Sequence, residues 1–394
     1  MTAGCLTILI LYFWQERIAL KRLVKKIPLR ICVTGARGKS SVVRLIAVIL
    51  REEGLRTLAK TTGSRPVLLL PNGREEKISR RGPVSILEQK HILKAAVFHS
   101  VRAAVLEMMS IRPESLWVEA HKMLQPHLLV LTNFRCDHRE HWGQTRDHVV
   151  SALQSAITPG STVFLPEEEN SPELQKTAEE NGVEMVVVPP LTSEEFARIE
   201  AGSPGLEFET NPRLALAVAQ HLGINRDKAL LSLGRAESDA GSLRAWRMDE
   251  GAAEKGWCFV NAFAANDPES TRMALTKLRQ VPALEYPRLL AVLNLRSDRS
   301  DRTLQWIEAF RQNQFPEVDK ILVTGLHAPV FRSKIRRSSP ALDIDILKGR
   351  TTEEIMRVLS CQASGALVVG MGNLGGTGEA MVEYCQVKGT PYAV

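Results

Sequence analysis

The chain has 394 residues, 44% apolar and 24% charged, with a formal net charge of +7. These numbers exclude a disordered or fibrous chain and leave room for two or three domains with cores of their own. The positive balance favours polyanionic partners such as nucleotides, anionic lipid or an acidic polymer, without choosing among them.

The first segment is apolar: residues 3–14 read AGCLTILILYFW, and Arg17, Lys21, Arg22, Lys25 and Lys26 follow. It is shorter than the ~20 residues a bilayer-spanning helix takes. Its charge follows the apolar part, the reverse of a signal peptide. It reads as a short anchor or interfacial segment with its basic flank on the cytoplasmic side. The other reading is a helix packed on the protein itself.

The apolar run from Arg30 to Thr34 predicts a strand. A loop follows with Gly35, Ala36, Arg37, Gly38, Lys39, Ser40 and Ser41, then an amphipathic helix with Val42, Leu45, Ile46 and Ile49 on one face, closed by Gly54. Strand, glycine loop, Lys-Ser and helix form a phosphate-binding apparatus, because loop N–H groups and the helix N-terminus direct positive partial charge at phosphate oxygens. Lys39 would reach the β- and γ-phosphates and the Ser40 hydroxyl would bind Mg²⁺. The strict P-loop pattern wants a glycine where this chain has Val33. The alternative is an ordinary glycine turn between a strand and a helix.

Further along, strands are predicted at 56–61, 103–106, 128–132, 162–165 and 185–188, with a polar hairpin or loop at 71–83 and a helix at 86–97. Acidic helical stretches lie between and after the later strands, and a helix starts at Asn211-Pro212. The small, polar run 234–243 (GRAESDAGSL) marks a domain boundary. Strands at 257–260, 289–293, 321–324 and 366–369 then alternate with helices, which argues for parallel, doubly wound sheets. Ligands bind such sheets beyond the carboxyl ends of the strands. Glu107, Asn133, His138, Asn266 and Arg296 all stand at such ends.

Glu107 directly follows an apolar strand and suits an oxygen-ligated Mg²⁺ near the phosphates; otherwise it is a solvated or capping glutamate. In LTNFRCDHREHWG, Asn133, Asp137 and His138 can supply metal or phosphate contacts. Cys136, His138 and His141 lack the second ligand pair a zinc site needs. Asn211 has a simpler role as a helix N-cap, and Asn266 as a turn residue before a helix. Arg296, Asp298, Arg299, Asp301 and Arg302 form either an anion-binding arginine cluster or a self-paired charge run. GMGNLG (370–375) comes too near the chain end for a dinucleotide-binding unit. The cysteines Cys5, Cys32, Cys136, Cys258, Cys361 and Cys385 form no CxxC pair and read as reduced, mostly buried thiols of a cytosolic protein.

These pieces, in this order, resemble the Mur ligase superfamily of ATP-dependent amide ligases: TGARGKSS (34–41), TTGS (61–64), Glu107, TNFRCDH (132–138), the Asn211 helix and, more loosely, NAFAANDP (261–268). The P-loop begins some thirty residues in, where cell-wall Mur ligases carry a UDP-sugar-binding domain. That spacing, the GxRGKS loop and the apolar-then-basic N-terminus look like the ligase subunit of capsule-type poly-γ-glutamate synthase. Folylpolyglutamate synthase typically has GKGS in its loop, which this chain lacks.

The resemblance implies an α/β fold without an N-terminal UDP-binding domain. Its parts would be a membrane-proximal segment (1–28), a P-loop ATP-binding domain with a parallel sheet (29–240) and a smaller Rossmann-like C-terminal ligase domain (241–394). The implied chemistry is ATP-driven joining of glutamates through γ-linkages by way of an acyl phosphate. ATP and Mg²⁺ would be the cofactors. Ser40, Glu107 and His138 would hold metal, with Lys39, Glu107 and His138 as catalytic groups. Asn211 would lie near the adenine, and Asn266, Arg296 and Arg299 would approach from the C-terminal domain. Glutamate, the growing polymer and small membrane subunits would be partners, at the cytoplasmic face of the cell membrane, with self-association left open.

Two departures stand out. No lysine occurs between Lys122 and Lys176, so the carbamoylated lysine of many Mur ligases has no counterpart. Asn261 and Ala265 stand where the family motif has Asp and His. The competing readings are a Mur-type ligase for another acceptor such as a folylpolyglutamate, and a membrane-tethered nucleotide-binding scaffold. Nucleic acid is not expected, because no aromatic-basic stripe appears.

Overall fold

A computed structural model describes residues 2–63, 66–80, 82, 84–135, 142–143, 145–203, 205, 208–236, 241–248, 256–297 and 300–392, with no side-chain description for 2–5 and 8. His138 and Arg299, with Cys136, Asp137, His141 and Asp298, lie outside the described residues. The chain divides into two compact units: Met1–Ser203 with Phe208–Asp239, and Pro204–Glu207 with Ala240–Val394.

The first unit is built on strands β1 (Leu29–Thr34), β2 (Thr57–Lys60), β3 (Val67–Leu69), β4 (Glu75–Lys77), β5 (Ala103–Glu107), β6 (Leu128–Leu131), β7 (Thr162–Pro166) and β8 (Glu184–Val188). They form one sheet in the order β4-β3-β2-β5-β1-β6-β7-β8. Six strands run parallel, and the β3–β4 hairpin adds an antiparallel edge. The central strands are buried on both faces, which is why they read as continuous apolar runs. Alternate residues serve alternate layers: Ile31, Val33, Val105 and Val130 pack with the helix α2 (Lys39–Glu52), and Cys32, Leu106 and Leu129 pack on the opposite core. That second core includes Leu93 and Ala96 of the helix α3 (Glu88–Phe98).

A first helix, α1 (Thr2–Lys25), precedes the sheet. Its base is pinned by Arg30, whose guanidinium donates to the carbonyls of Val24 (3.1 Å), Ile27 (2.8 Å), Leu124 (3.0 Å) and Gln125 (3.0 Å). One cation thereby caps the carbonyl ends of two helices, where the backbone dipoles favour positive charge. Lys90 adds a 2.5 Å ion pair to Glu16. Beyond that base, Leu6, Leu9, Ile10, Leu11, Tyr12, Phe13 and Trp14 are 49–61% exposed. Among the described residues no helix is long and apolar enough to cross a membrane.

The sequence reading leaves 113–124 unassigned. Here the chain forms α4 (Pro113–Trp117), which continues as a π-helix over Val118–Leu124. The helix expected at 86–97 begins two residues later, at Glu88.

The second unit carries β9 (Arg244–Met248), β10 (Trp257–Asn261), β11 (Leu289–Asn294), β12 (Lys320–Thr324), β13 (Asp343–Ile346), β14 (Leu367–Gly372) and β15 (Thr390–Pro391). Their order is β13-β12-β11-β14-β10-β9-β15, with five parallel strands and β9 and β15 antiparallel at one edge. The strands β9, β13 and β15 are absent from the sequence reading. Two of them, RAWRM and DIDI, carry charges that mask their strand pattern, and β15 has two residues. Cys32, Cys258 and Cys385 are buried free thiols, whereas Cys361 is exposed. Burial pushes Cys258 up to about 12, so it is an inert core residue.

Arg30→Met leaves buried carbonyls without their donor and should lower the unfolding free energy by about 2–3 kcal/mol. Urea denaturation measures this, with trypsin cleavage after Lys25 or Lys26 as the local readout. An unchanged midpoint and cleavage rate would show that the clamp does not hold α1.

Candidate active site

The loop between β1 and α2 is set by close approaches that only glycine permits. Gly35 has φ +125° and Gly38 has φ +83°. A methyl carbon at Gly35 would lie 2.2 Å from Thr132 Oγ1, and one at Gly38 would lie 2.3 Å from Asn211 Oδ1. Val33, at the position of the strict motif's first glycine, is fully buried inside β1, so the turn starts two residues later and is shorter. Ala36 N donates to the Asn133 carbonyl (3.0 Å), and Arg37 N donates to Asn133 Oδ1 (3.3 Å). Asn133 Nδ2 returns a bond to the Arg37 carbonyl (2.9 Å). Asn133 therefore braces the loop backbone, where the sequence suggested a metal or phosphate contact.

Gly38 is the N-cap of α2 and has no side chain to cap with, and the first turn contains no acidic residue. The positive end of the helix is thus not neutralised from within the helix. Lys39 Nζ folds over the loop, 2.7 Å from the Gly35 carbonyl and 3.0 Å from that of Ala36. Cation and helix end face the same short loop.

Glu107 closes the arrangement. Parallel pairing sets it beside Val33 at the carboxyl end of β5, and it is 2% exposed. Its Oε2 accepts from Ser40 Oγ (2.7 Å) and from Thr62 N (2.7 Å). Gly63 permits this approach, because a methyl carbon there would sit 2.9 Å from Ser40 Oγ. Thr62 and Gly63 of the TTGS run are thus part of the site, Thr62 holding Glu107 through its backbone N–H.

A layer of buried charge stands behind. Lys60, at the end of β2, is fully buried and pairs with Glu88 (3.0 Å), which Arg80 grips at 2.7 and 3.2 Å. Burial pushes the Lys60 ammonium below the ordinary lysine value, while Glu88, Glu119 and Glu107 pull the other way. Burial alone would raise Glu88, but Arg80 and Lys60 outweigh it and hold the carboxyl below its usual range. Glu119, on the π-helix, is also fully buried and accepts from Gln89 Nε2 (2.6 Å), Met109 N (3.1 Å) and Ser110 N (2.9 Å). The sequence reading missed Lys60, Gln89 and Glu119. A signal existed for Glu119, which falls among Leu116, Ala120 and Met123, on the buried stripe of its helix.

A hard divalent cation fits this donor set. A carboxylate and a hydroxyl are typical of Mg²⁺ sites, where the ion keeps most of its water and takes phosphate oxygens as ligands. The buried hydroxyls of Thr61 and Ser110, adjoining the same strand ends, have no hydrogen-bond partner. Among the described residues, no group of three His, Cys, Asp or Glu side chains forms a cage for a softer metal.

Asn211 does not cap its helix: the cap is Glu209, and the Asn211 amide lies against Gly38 of the loop. In the second unit, Asp267 caps the helix Pro268–Leu278 by accepting from Ser270 N (2.9 Å). Asn266 accepts from Arg302 through its carbonyl (3.0 Å) and its side-chain oxygen. Arg302 is thus bonded to a residue outside the arginine run. Arg296 lies on the glycine loop after β14, with Nη1 2.7 Å from where a Gly375 methyl carbon would stand. Asn261 bonds the Ser242 carbonyl (3.1 Å) and Phe263 N (3.3 Å), a structural arrangement. In GMGNLG, Gly370 makes room for the Phe263 ring and Gly372 for the Asn294 carbonyl.

The sequence profile of the Mur ligase middle domain matches residues 33–213, and that of the poly-γ-glutamate synthase CapB C-terminal domain matches 248–388. The capsule biosynthesis protein CapB of Bacillus anthracis is 32% identical over 96% of this chain and 81% of its own length. The PGA synthase CapB of Bacillus subtilis is 30% identical over 96% and 95%. Among solved structures, a bifunctional folylpolyglutamate synthase/dihydrofolate synthase with Mn, AMPPNP and L-glutamate bound shares the fold, with a TM-score of 0.67 and 16% identity. That match covers 94% of this chain and 92% of the other.

Gly38→Ala forces a side chain into a left-handed conformation costing about 1–2 kcal/mol, before the collision with Asn211. Urea denaturation should show the double variant with Asn211→Ala less destabilised than the sum of the two singles. Strict additivity would mean that the amide and the loop do not touch.

Proposed function

We propose a function from one premise: the chain belongs to the CapB family within the Mur ligase superfamily of ATP-dependent ligases. It joins glutamates through γ-linkages at the expense of ATP, releasing ADP and phosphate and building poly-γ-glutamate. The observation that supports this best is the 2.7 Å contact of Ser40 with Glu107 at the mouth of a lysine-bearing glycine loop.

The γ-carboxylate of the acceptor attacks the γ-phosphorus of ATP, the bond to the bridging oxygen breaks, and ADP leaves. The α-amine of the next glutamate then attacks the acyl carbon, loses a proton, and phosphate departs with the carbon–oxygen pair. The first step brings two anions together, so it needs fixed positive charge. Lys39, once swung from the loop carbonyls to the phosphates, supplies one charge, and the open N-terminus of α2 supplies partial charge. Ser40 and Glu107 would hold Mg²⁺, which when bound screens the phosphates and orients them for attack. His138, Arg299, Asn266 and Arg296 keep the roles the resemblance implies: metal for His138, nucleotide or acyl phosphate for the others. Asn211 would touch the nucleotide from the loop side, a role that its contact with Gly38 supports.

The exposed apolar tip of α1, with Arg17, Lys21, Arg22, Lys25 and Lys26 exposed below it, docks on the cytoplasmic face of the membrane and meets membrane partner subunits there. Apolar burial and attraction to anionic lipid act together in such a segment.

Lys39→Ala should lower ADP release with ATP, Mg²⁺ and glutamate by roughly 10²-fold, or ~2.7 kcal/mol. Near-normal γ-linked synthesis by that variant would falsify the assignment. Replacing glutamate with folate acceptors separates the folylpolyglutamate alternative, and ATP binding without any ADP formation by the wild type would indicate a scaffold. In flotation assays, vesicles rich in anionic lipid should carry the wild-type protein. They should leave behind a variant with Leu9, Ile10, Tyr12 and Phe13 changed to Ser; equal recovery of both would remove the membrane role of α1.

A further inference from the structure

We infer that Glu119 is a positioning residue for the Glu107 carboxylate, acting through the backbone turn that follows β5. The inference rests on the reading of Glu107 as a metal ligand.

Glu119 is as fully buried as any apolar core residue. A carboxylate in such a place is costly unless its oxygens are satisfied. Its oxygens are satisfied by the segment that carries Glu107. Oε1 accepts from Met109 N at 3.1 Å, and Oε2 accepts from Met109 N at 3.2 Å and from Ser110 N at 2.9 Å. These are the second and third residues after Glu107, so the carboxylate fixes where the strand end turns. Bonds of N–H groups to an ionised acceptor are about twice as strong as neutral ones.

Gln89 supplies the second link. Its Nε2 donates both to Glu119 Oε1 (2.6 Å) and to the Glu107 carbonyl (3.2 Å), while its own Oε1 is buried without a partner. Flipping the amide would turn that oxygen toward two other acceptors, so the orientation is enforced. The Glu107 backbone is thus held from its carbonyl through to Ser110 N. Its side chain is held from the opposite side by Ser40 and Thr62.

The local helix geometry serves this placement. Glu119 lies in the π-helical run Val118–Leu124, a wider turn that is uncommon and often found at functional sites. Lys60 supplies the compensating charge, with Nζ 3.6 Å from Met109 Sδ on the turn that Glu119 holds. Outer groups of this kind orient metal ligands, and losing one typically costs 10–100-fold in metal affinity.

The test compares wild type, Glu119→Gln, Gln89→Leu and Glu107→Gln. Mn²⁺ affinity is measured by electron paramagnetic resonance with a non-hydrolysable ATP analogue, and binding of a fluorescent nucleotide is measured in EDTA. Glu119→Gln keeps the shape and removes the charge, and it should weaken Mn²⁺ by roughly tenfold or more. Nucleotide binding without metal should stay within about twofold, a separation that general loosening of the fold would not produce. Gln89→Leu should move in the same direction and serves alone if the Glu119 variant does not fold. Wild-type Mn²⁺ affinity in the folded Glu119 and Gln89 variants, with affinity lost in Glu107→Gln, overturns the inference and leaves the metal assignment standing. Retention of Mn²⁺ affinity by Glu107→Gln overturns the metal assignment, and the inference with it.

Discussion

The site depends on the parallel pairing of β1 with β5. That register sets Val33 beside Glu107 and so brings the start of α2 and an acidic strand end to one edge of the sheet. In a parallel sheet every strand ends its carbonyl side on the same edge, where helix N-termini begin. Positive partial charge, an ammonium and a carboxylate are assembled there by topology before any side chain is chosen. What the side chains add is reach: Ser40 and Glu107 meet only because Gly63 leaves room, and the loop closes only because Gly35 and Gly38 accept left-handed backbone.

The surrounding charges explain why Glu107 can stay in place while almost completely buried. A buried carboxylate without partners is costly. Glu107 instead accepts two short bonds and shares its surroundings with Lys60, whose charge also serves Glu88 and Glu119. The same low dielectric that makes these charges costly strengthens their interactions, so removing one partner from such a network is far worse than never having built it. The tightness of the loop and the buried charges are therefore one design: rigid backbone holds charges in positions that solvent would otherwise screen.

Much of this is legible in the sequence, because the mechanism requires a local order of elements. The run from Arg30 to Gly54 carries strand, loop and helix signals in sequence, and the buried central strands appear as apolar stretches. Glu107 is found because an acid directly ends such a stretch. What is not legible is anything set by tertiary contact. Asn211 has the residue type and position of an N-cap, yet the contact with Gly38 decides its place. Asn133 looks like a ligand and is a backbone brace, a role that needs a loop ninety-six residues away. Lys60 and Glu88 look like ordinary surface charges, since burial cannot be seen where the local pattern is mixed. The antiparallel strand β9 is hidden by its two arginines, which interrupt its apolar pattern.

The chain's departure from the carbamoylated-lysine pattern bears on how charge is balanced. A carbamate would add an anion beside the metal, and no lysine between Lys122 and Lys176 can form one. This chain already gathers three carboxylates, the buried Glu107 and Glu119 and the half-buried Glu88, around the cations Lys60 and Arg80. These five groups carry a formal excess of one negative charge. A further anion would deepen that excess, whereas a divalent cation at Glu107 reverses it. In the proposed reaction this network would favour a cation at the strand end and leave Lys39 and the α2 N-terminus to anionic groups. Glu107 would take the cation in that reaction, and Lys39, which rests on the loop carbonyls of Gly35 and Ala36, would exchange them for phosphate oxygens.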